Sequence, residues 1–275
     1  ADGTLDAAKV NLSQELRAHV DGLRKKGEIA EMGVYVRDLN NGPTFGMNEN
    51  EGFLPASLLK LPVAMAFYKI AEDDPSVLSR KIRFEKRSGP PVDGDMQFIV
   101  PSKEIEPGRE YRIDELVEAA LVHSDNQAIQ LLYNELNRTS AKPLRDLYRL
   151  LGVDESVLNG PGGSLSVKQY SAFFRILFNA SFLDRTHSEL ILAMLARSEY
   201  DRALVAGVPE GVSVSHKFGE SGTLEERQIH DCGIIYYPDH PYLLCVMSRG
   251  AEAEKLETSI ASVAAFLSGR LASAE

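Results

Sequence analysis

Three short runs combine residue types that could support nucleophilic catalysis. In Ser57-Leu58-Leu59-Lys60 a hydroxyl and an amine stand three positions apart. If Pro55-Ala56 leads into a helix, both side chains lie on one face about a turn apart. The amine is then placed as the base that a weak serine nucleophile needs. Alone the run carries little, since 23 Ser and 12 Lys make about one SxxK by chance. Ser124-Asp125-Asn126 is rarer, at about 0.05 chance occurrences. It separates two apolar helical runs, Ile113 to Val122 and Ala128 to Leu136, where short polar residues also serve as caps. Lys217-Phe218-Gly219 ends a strand-like run; KxG arises about once by chance, and its plain reading is a strand-terminal Lys with a turn Gly. Their joint order gives them weight: SxxK opens the first middle helix, SDN follows 67 residues later, and Lys217 stands 93 further on.

Other chemistries are disfavoured. His19, His123, His187, His216, His230 and His240 show no HxH or HExxH spacing, so no metal site is expected. Neither GxxxxGK[ST] nor GxGxxG occurs, which leaves the Gly160 to Gly163 stretch as a turn. Gly219-Glu220-Ser221-Gly222 falls short of a GxSxG elbow because position 223 is Thr223.

The elements that must position these runs follow from periodicity. Leu5 to Lys26 reads as an amphipathic surface helix, with Leu12, Leu16, Val20 and Leu23 on one face. Met32, Val34 and Val36 alternate as a strand, Asn40-Asn41-Gly42-Pro43 supplies a turn, and a short strand follows near Thr44 to Met47. From about Pro55 to Glu210 the periods are helical, broken by loops at Ser88-Gly89-Pro90-Pro91 and Asn159 to Gly163. Strand patterns return at Val212 to Lys217, Gln228 to Tyr237 and Tyr242 to Ser248, before a last helix using Leu256, Ile260, Val263, Leu267 and Leu271. Hairpins at the two ends are not stable in isolation, so one antiparallel sheet built from both termini and covered by both terminal helices is expected. The fold class is α/β in the α+β sense: residues 1–54 and 210–275 form an α/β lobe, residues 55–209 an all-α lobe, and together one catalytic domain.

Composition agrees with a folded chain that needs no staples. It has 275 residues, 44% hydrophobic and 25% charged, with a net charge of −10. No basic cluster tracks a phosphate backbone, so nucleic acid is not an expected partner. The longest uncharged apolar run, Leu61 to Tyr68, is far below the ~20 residues of a membrane span. Ala1 to Thr4 carries no charged-then-apolar leader, so a signal peptide is read as absent or removed. Cys232 and Cys245 lie in neighbouring strand-like runs whose register could place them together or apart; the simpler reading is two small buried apolar side chains.

With its three runs in this order, the chain resembles the penicillin-recognising serine acyltransferases, the class A β-lactamases and low-molecular-mass penicillin-binding proteins. The likeness in element order runs from Leu5 to the last helix. It implies an active site in the cleft between an α/β lobe and a helical lobe. By this resemblance Ser57 would attack an amide or lactam carbonyl and become acylated, and Lys60 would accept its proton. Ser124 would relay a proton to the leaving nitrogen, Asn126 would hold the substrate's side-chain amide, and Lys217 would keep the cleft positive. Gly219 and Glu220 would line the substrate, the backbone N–H groups of Ser57 and Glu220 forming an oxyanion hole worth ~2.7 to 4 kcal/mol per donor. No cofactor is implied. The resemblance points to a periplasmic or extracellular monomer meeting a lactam-like or peptidoglycan-like substrate.

Departures from the family pattern shape the expected activity. Phe218 stands where a Thr or Ser usually helps bind a substrate carboxylate. Glu220 replaces a small residue and is expected to repel that carboxylate by about 1 to 4 kcal/mol. Arg227 would restore positive charge, but the sequence does not locate its guanidinium. Glu155-Ser156-Val157-Leu158-Asn159 fits the E-x-x-L-N pattern of the family's deacylating Glu, yet the loop is about ten residues short, so Glu155 reads as a solvated turn residue. The expectation is a serine hydrolase forming an acyl-enzyme on Ser57, with weak or atypical lactam hydrolysis. Its rivals are a peptidase or esterase acting on substrates without a carboxylate, and a binding domain that keeps the fold without catalysis.

Overall fold

The alternating apolar residues of the two chain ends become one sheet. A computed structural model describes residues 2–40, 44–86, 98–154, 163–223 and 225–272. Strands β1 (Glu31–Asp38), β2 (Thr44–Met47), β5 (Val214–Gly222), β6 (Arg227–Ile235) and β7 (Tyr242–Gly250) lie antiparallel in the order β2-β1-β7-β6-β5. The N- and C-terminal segments meet where β1 pairs with β7, Val34 opposite Val246 and Val36 opposite Leu244. β7 is buried along nearly its whole length because both faces of the sheet are covered.

Helices α1 (Asp2–Lys25) and α8 (Ala253–Ala272) cover one face. Leu16, Val20 and Leu23 join Leu256, Ile260, Val263 and Leu267 over Val34, Val36, Ile229, Leu244 and Val246. The two helices are also joined by a 2.9 Å hydrogen bond between His19 Nε2 and Ser262 Oγ. The opposite face, with Tyr35, Ile234, Leu243 and Met247, packs into a second core with the helical layer.

That layer contains α2 (Lys60–Asp73), α3 (Ile113–Val122), α4 (Asn126–Thr139), α5 (Lys142–Leu151), α6 (Val167–Phe178) and α7 (Arg185–Leu195). Every residue from Leu61 to Tyr68 is buried, so α2 is apolar all round because other elements surround it. The 3₁₀ turn Ala56–Leu59 leading into it, with Lys60, carries the SxxK run into the centre of the molecule.

Several expectations need correction. The middle is not wholly helical: β3 (Lys81–Arg83) and β4 (Glu110–Arg112) form a two-stranded ribbon, each too short for its alternation to register. The strand read as ending near Lys217 runs on to Gly222, because ladder pairing with β6 continues from Gly219 opposite His230 to Gly222 opposite Arg227. Cys232 and Cys245 are not free; they sit directly opposite each other on β6 and β7 and form a disulfide. The expected turn at residues 41–43, the loop at 88–91 and the stretch 155–162, which includes Glu155, lie outside the described residues.

Candidate active site

Ser57 sits in a short 3₁₀ turn, Ala56–Leu59, that runs directly into α2. The turn is sharp: Leu58 N–H donates to Pro55 O at 3.0 Å, and Ala56 adopts a left-handed φ of 47°. Lys60, the first residue of α2, is buried to 3% exposure. Its Nζ lies 2.9 Å from Ser57 Oγ, 2.9 Å from Ser124 Oγ, 2.5 Å from Ser124 O and 2.7 Å from Asn126 Oδ1. Burial, reinforced by the neighbouring Lys217 charge, holds the Lys60 pKa well below the ordinary lysine value. A neutral amine has two N–H bonds and one lone pair. Two of its four neighbours, Ser124 O and Asn126 Oδ1, can only accept. If they take the two N–H bonds, the lone pair faces the two hydroxyls.

The Ser124 to Asn126 run lies at the junction of α3 and α4. Asp125 caps α4, its Oδ1 accepting from Gln127 N–H at 2.7 Å and Ala128 N–H at 3.0 Å. Its Oδ2 accepts from Ile105 N–H at 2.7 Å, tying a neighbouring loop to the same carboxylate. The capping role therefore belongs to Asp125, while Ser124 and Asn126 turn towards Lys60. Ser124 pays for this orientation with a left-handed φ of 55°.

Lys217 enters from the middle of edge strand β5. Its fully buried Nζ donates to Ser124 Oγ at 3.0 Å and Phe218 O at 3.1 Å, and stands 4.1 Å from the centroid of the Phe218 ring. Burial lowers its pKa to about 7, against the opposing pull of Asp231, Glu220 and Glu199. Ser124 Oγ thus bridges two amines that share a poorly solvated space, and the proton content of the pair is coupled. Gly219 lets the 54–58 turn come close: a Cβ there would lie 2.9 Å from Leu58 Cγ and 3.1 Å from Pro55 O.

Phe218 stacks on Tyr200, with ring centroids 4.1 Å apart, and puts no hydroxyl beside Lys217. Glu220 is tied by its carboxylate to the backbone of a neighbouring segment. Its Oε1 accepts from Ile99 N–H at 2.9 Å and its Oε2 from Phe98 N–H at 3.0 Å. Burial raises its pKa, while these two amides work in the other direction. The Arg227 guanidinium lies over the Phe98 ring, 3.4 Å from its centroid.

Sequence reasoning missed the Phe98 and Ile99 amides, which no motif marks. It also missed Asp231, a fully buried carboxylate that accepts from Leu204 N–H at 3.1 Å and lies 2.8 Å from His216 Nδ1. A lone Asp in an apolar strand run was the available signal. Among the described residues, Glu72, Asp184 and His187 bring metal-ligand atom types within 4.8 Å of one another. There Glu72 Oε2 already pairs with Lys69 Nζ at 2.5 Å and Glu72 Oε1 accepts from Asp184 N–H at 2.7 Å.

The pattern that describes the β-lactamase enzyme family matches residues 11–271. This chain belongs to that family. No curated protein sequence matches it significantly. Solved β-lactamase folds align over nearly the whole chain. A variant of the last common ancestor of Gram-negative class A β-lactamases is 25% identical, with 96% of this chain and 100% of that one covered and a TM-score of 0.78. The class A β-lactamase of Mycobacterium abscessus is 23% identical, covering 95% and 99%, with a TM-score of 0.75. A PBP-A mutant, solved as its acyl-enzyme with penicillin G, is 19% identical, covering 96% and 97%, with a TM-score of 0.78. The antiparallel sheet with its helical layer is the class A β-lactamase architecture, and β-lactamase family membership supports a serine-hydrolase-like function. Among the described residues no helix is long and apolar enough to cross a membrane.

Proposed function

We propose that this β-lactamase family member is a serine hydrolase that forms an acyl-enzyme on Ser57. The observation that carries the reading is the 2.9 Å approach of Ser57 Oγ to a buried Lys60 amine whose pKa is depressed. In acylation the Ser57 Oγ–H proton passes to Lys60 Nζ as Oγ bonds to the carbonyl carbon. The backbone N–H groups of Ser57 and Glu220 stabilise the resulting oxyanion. The C–N bond then breaks, the leaving nitrogen takes a proton from Ser124 Oγ, and the Lys60 ammonium returns one to Ser124 across 2.9 Å. Lys217 holds Ser124 from its other side, and Asn126 steadies Lys60 while facing the substrate's amide. Gly219 sets the spacing between nucleophile and strand.

Lactam turnover is weak or atypical in this reading. Phe218 supplies no hydroxyl for a substrate carboxylate, and Glu220 places a negative group next to it. Glu155 is not the deacylating base in this reading, so the acyl-enzyme persists. The Phe218 packing also favours a second reading, a peptidase or esterase on substrates lacking a carboxylate; small esters assayed beside nitrocefin separate the two. The lobes are residues 1–54 with 210–275, and residues 55–209, with a monomer acting in the periplasm or outside the cell and no nucleic-acid partner. The Cys232–Cys245 disulfide supports an oxidising compartment.

Intact-mass measurement after exposure to a panel of penicillins and cephalosporins tests the reading. A covalent adduct is expected on the wild type and none on Ser57→Ala, with Glu155→Ala deacylating at the wild-type rate. No adduct with any lactam, under conditions that label a control enzyme, removes lactam chemistry; slower deacylation in Glu155→Ala reinstates that residue as the base.

A further inference from the structure

Leu54, three residues before Ser57, is held at both its N–H and its C=O by one strand. Gln228 and His230 alternate along β6, so their side chains project from the same face. Gln228 Oε1 accepts from Leu54 N–H at 3.1 Å, and His230 Nε2 lies 2.9 Å from Leu54 O. The second ring nitrogen decides the proton placement. Ser248 N–H points at His230 Nδ1 at 3.3 Å and can only donate, so Nδ1 is the bare acceptor and Nε2–H donates to the Leu54 carbonyl. The ring is fully buried and meets Phe53 edge-on, with centroids 5.6 Å apart. Burial lowers the His230 pKa to about 4, in keeping with this single neutral tautomer.

We propose that His230, with Gln228, is a positioning residue: it holds the Leu54 peptide and thereby seats Ser57 against β5. The inference rests on the reading of Ser57 as nucleophile. The same two strands set both sides of the seat. Gly219 stands directly opposite His230 in the β5–β6 ladder and leaves room for Pro55 and Leu58, while His230 draws Leu54 towards the sheet. Between these fixed points Ala56 is held at its left-handed φ of 47°, a conformation that relaxes unless neighbouring contacts enforce it. Neither residue belongs to the Ser57, Lys60, Ser124 and Lys217 cluster, and no spacing in the sequence connects them to it.

Two near-isosteres separate the hydrogen bond from packing. Gln carries an amide N–H about as far from Cβ as His Nε2, whereas Asn reaches only the Nδ1 position; both lose the ring against Phe53. The probe is a p-nitrophenyl phosphonate, with Ser57 labelling read from nitrophenolate release and amide hydrogen exchange followed at Leu54 and Leu58. His230→Asn should label about ten- to a hundredfold more slowly and exchange faster at both amides. His230→Gln should recover most of the rate and protection. Equal rates in the two variants, or a His230→Asn protein as fast and as protected as wild type, overturn the inference. A wild type that the phosphonate does not label overturns the Ser57 reading itself, and the inference with it. Where His230→Asn fails to fold, Gln228→Ala frees the other side of the Leu54 peptide with the ring intact. Slower labelling there supports the clamp, and a wild-type rate overturns it.

Discussion

Replacing Gly219 with alanine should separate Ser57 from the strand β5 that packs against its turn. The added Cβ would stand 2.9 Å from Leu58 Cγ, 3.1 Å from Pro55 O and 3.3 Å from Leu58 N. Ordinary carbon contacts lie at about 3.5 to 4.0 Å, so turn and strand must part by about 0.6 to 1 Å. Neither side yields easily. Leu58 is fully buried, its carbonyl accepts from Tyr170 Oη–H at 3.0 Å, and β5 is paired with β6 along its length. Overpacking of this kind costs about 1 to 3 kcal/mol of stability. The effect on acylation is of similar size, because a misplacement of about 1 Å can cost a hundredfold, or about 2.7 kcal/mol of barrier. Single-turnover acylation by nitrocefin, read beside thermal unfolding, measures both. Ser57 and Lys60 share one turn and move together, so their 2.9 Å contact should survive the substitution. Acylation at the wild-type rate in Gly219→Ala would refute the idea that the site depends on this spacing.

Two further predictions follow from buried polar groups. Asp125→Ala removes a cap and orphans the buried Ile105 N–H, which together should cost about 2 to 4 kcal/mol in urea unfolding; Asp125→Asn, which keeps acceptor oxygens, should lose less. Lys217, with a folded-state pKa of about 7 against 10.5 when unfolded, binds fewer protons in the folded chain between those values. Stability should therefore rise with pH across that window, and Lys217→Met should flatten the rise in the urea midpoint.

What was legible in the sequence was mostly local. The SxxK spacing places Ser57 and Lys60 a turn apart whatever surrounds them, and the alternation of Met32, Val34 and Val36 marks a strand. The sheet built from both ends followed because isolated hairpins are unstable. What stayed hidden depends on register and on distant loops. Gly219 read as a turn residue, but pairing with β6 carries the strand through it to Gly222. The disulfide needed Cys232 to face Cys245 across β6 and β7, which a shift of one residue would have prevented. The sign of Glu220 was readable, but its orientation is set by the Phe98 and Ile99 amides, 121 and more positions away in the chain. Asp125 shows why the Ser124 to Asn126 run resisted a single reading: one residue caps the helix while its neighbours face the amine.

The most direct test of the central claim is the titration of Lys60 itself. With lysine ¹⁵Nζ-labelled protein and Lys60→Arg to assign the resonance, NMR should show Lys60 losing its proton well below pH 10.5 in the free protein, with Lys217→Met shifting that titration upwards. A Lys60 that titrates like a solvent-exposed lysine would contradict the account, because Ser57 would then face an ammonium with no lone pair to take its proton.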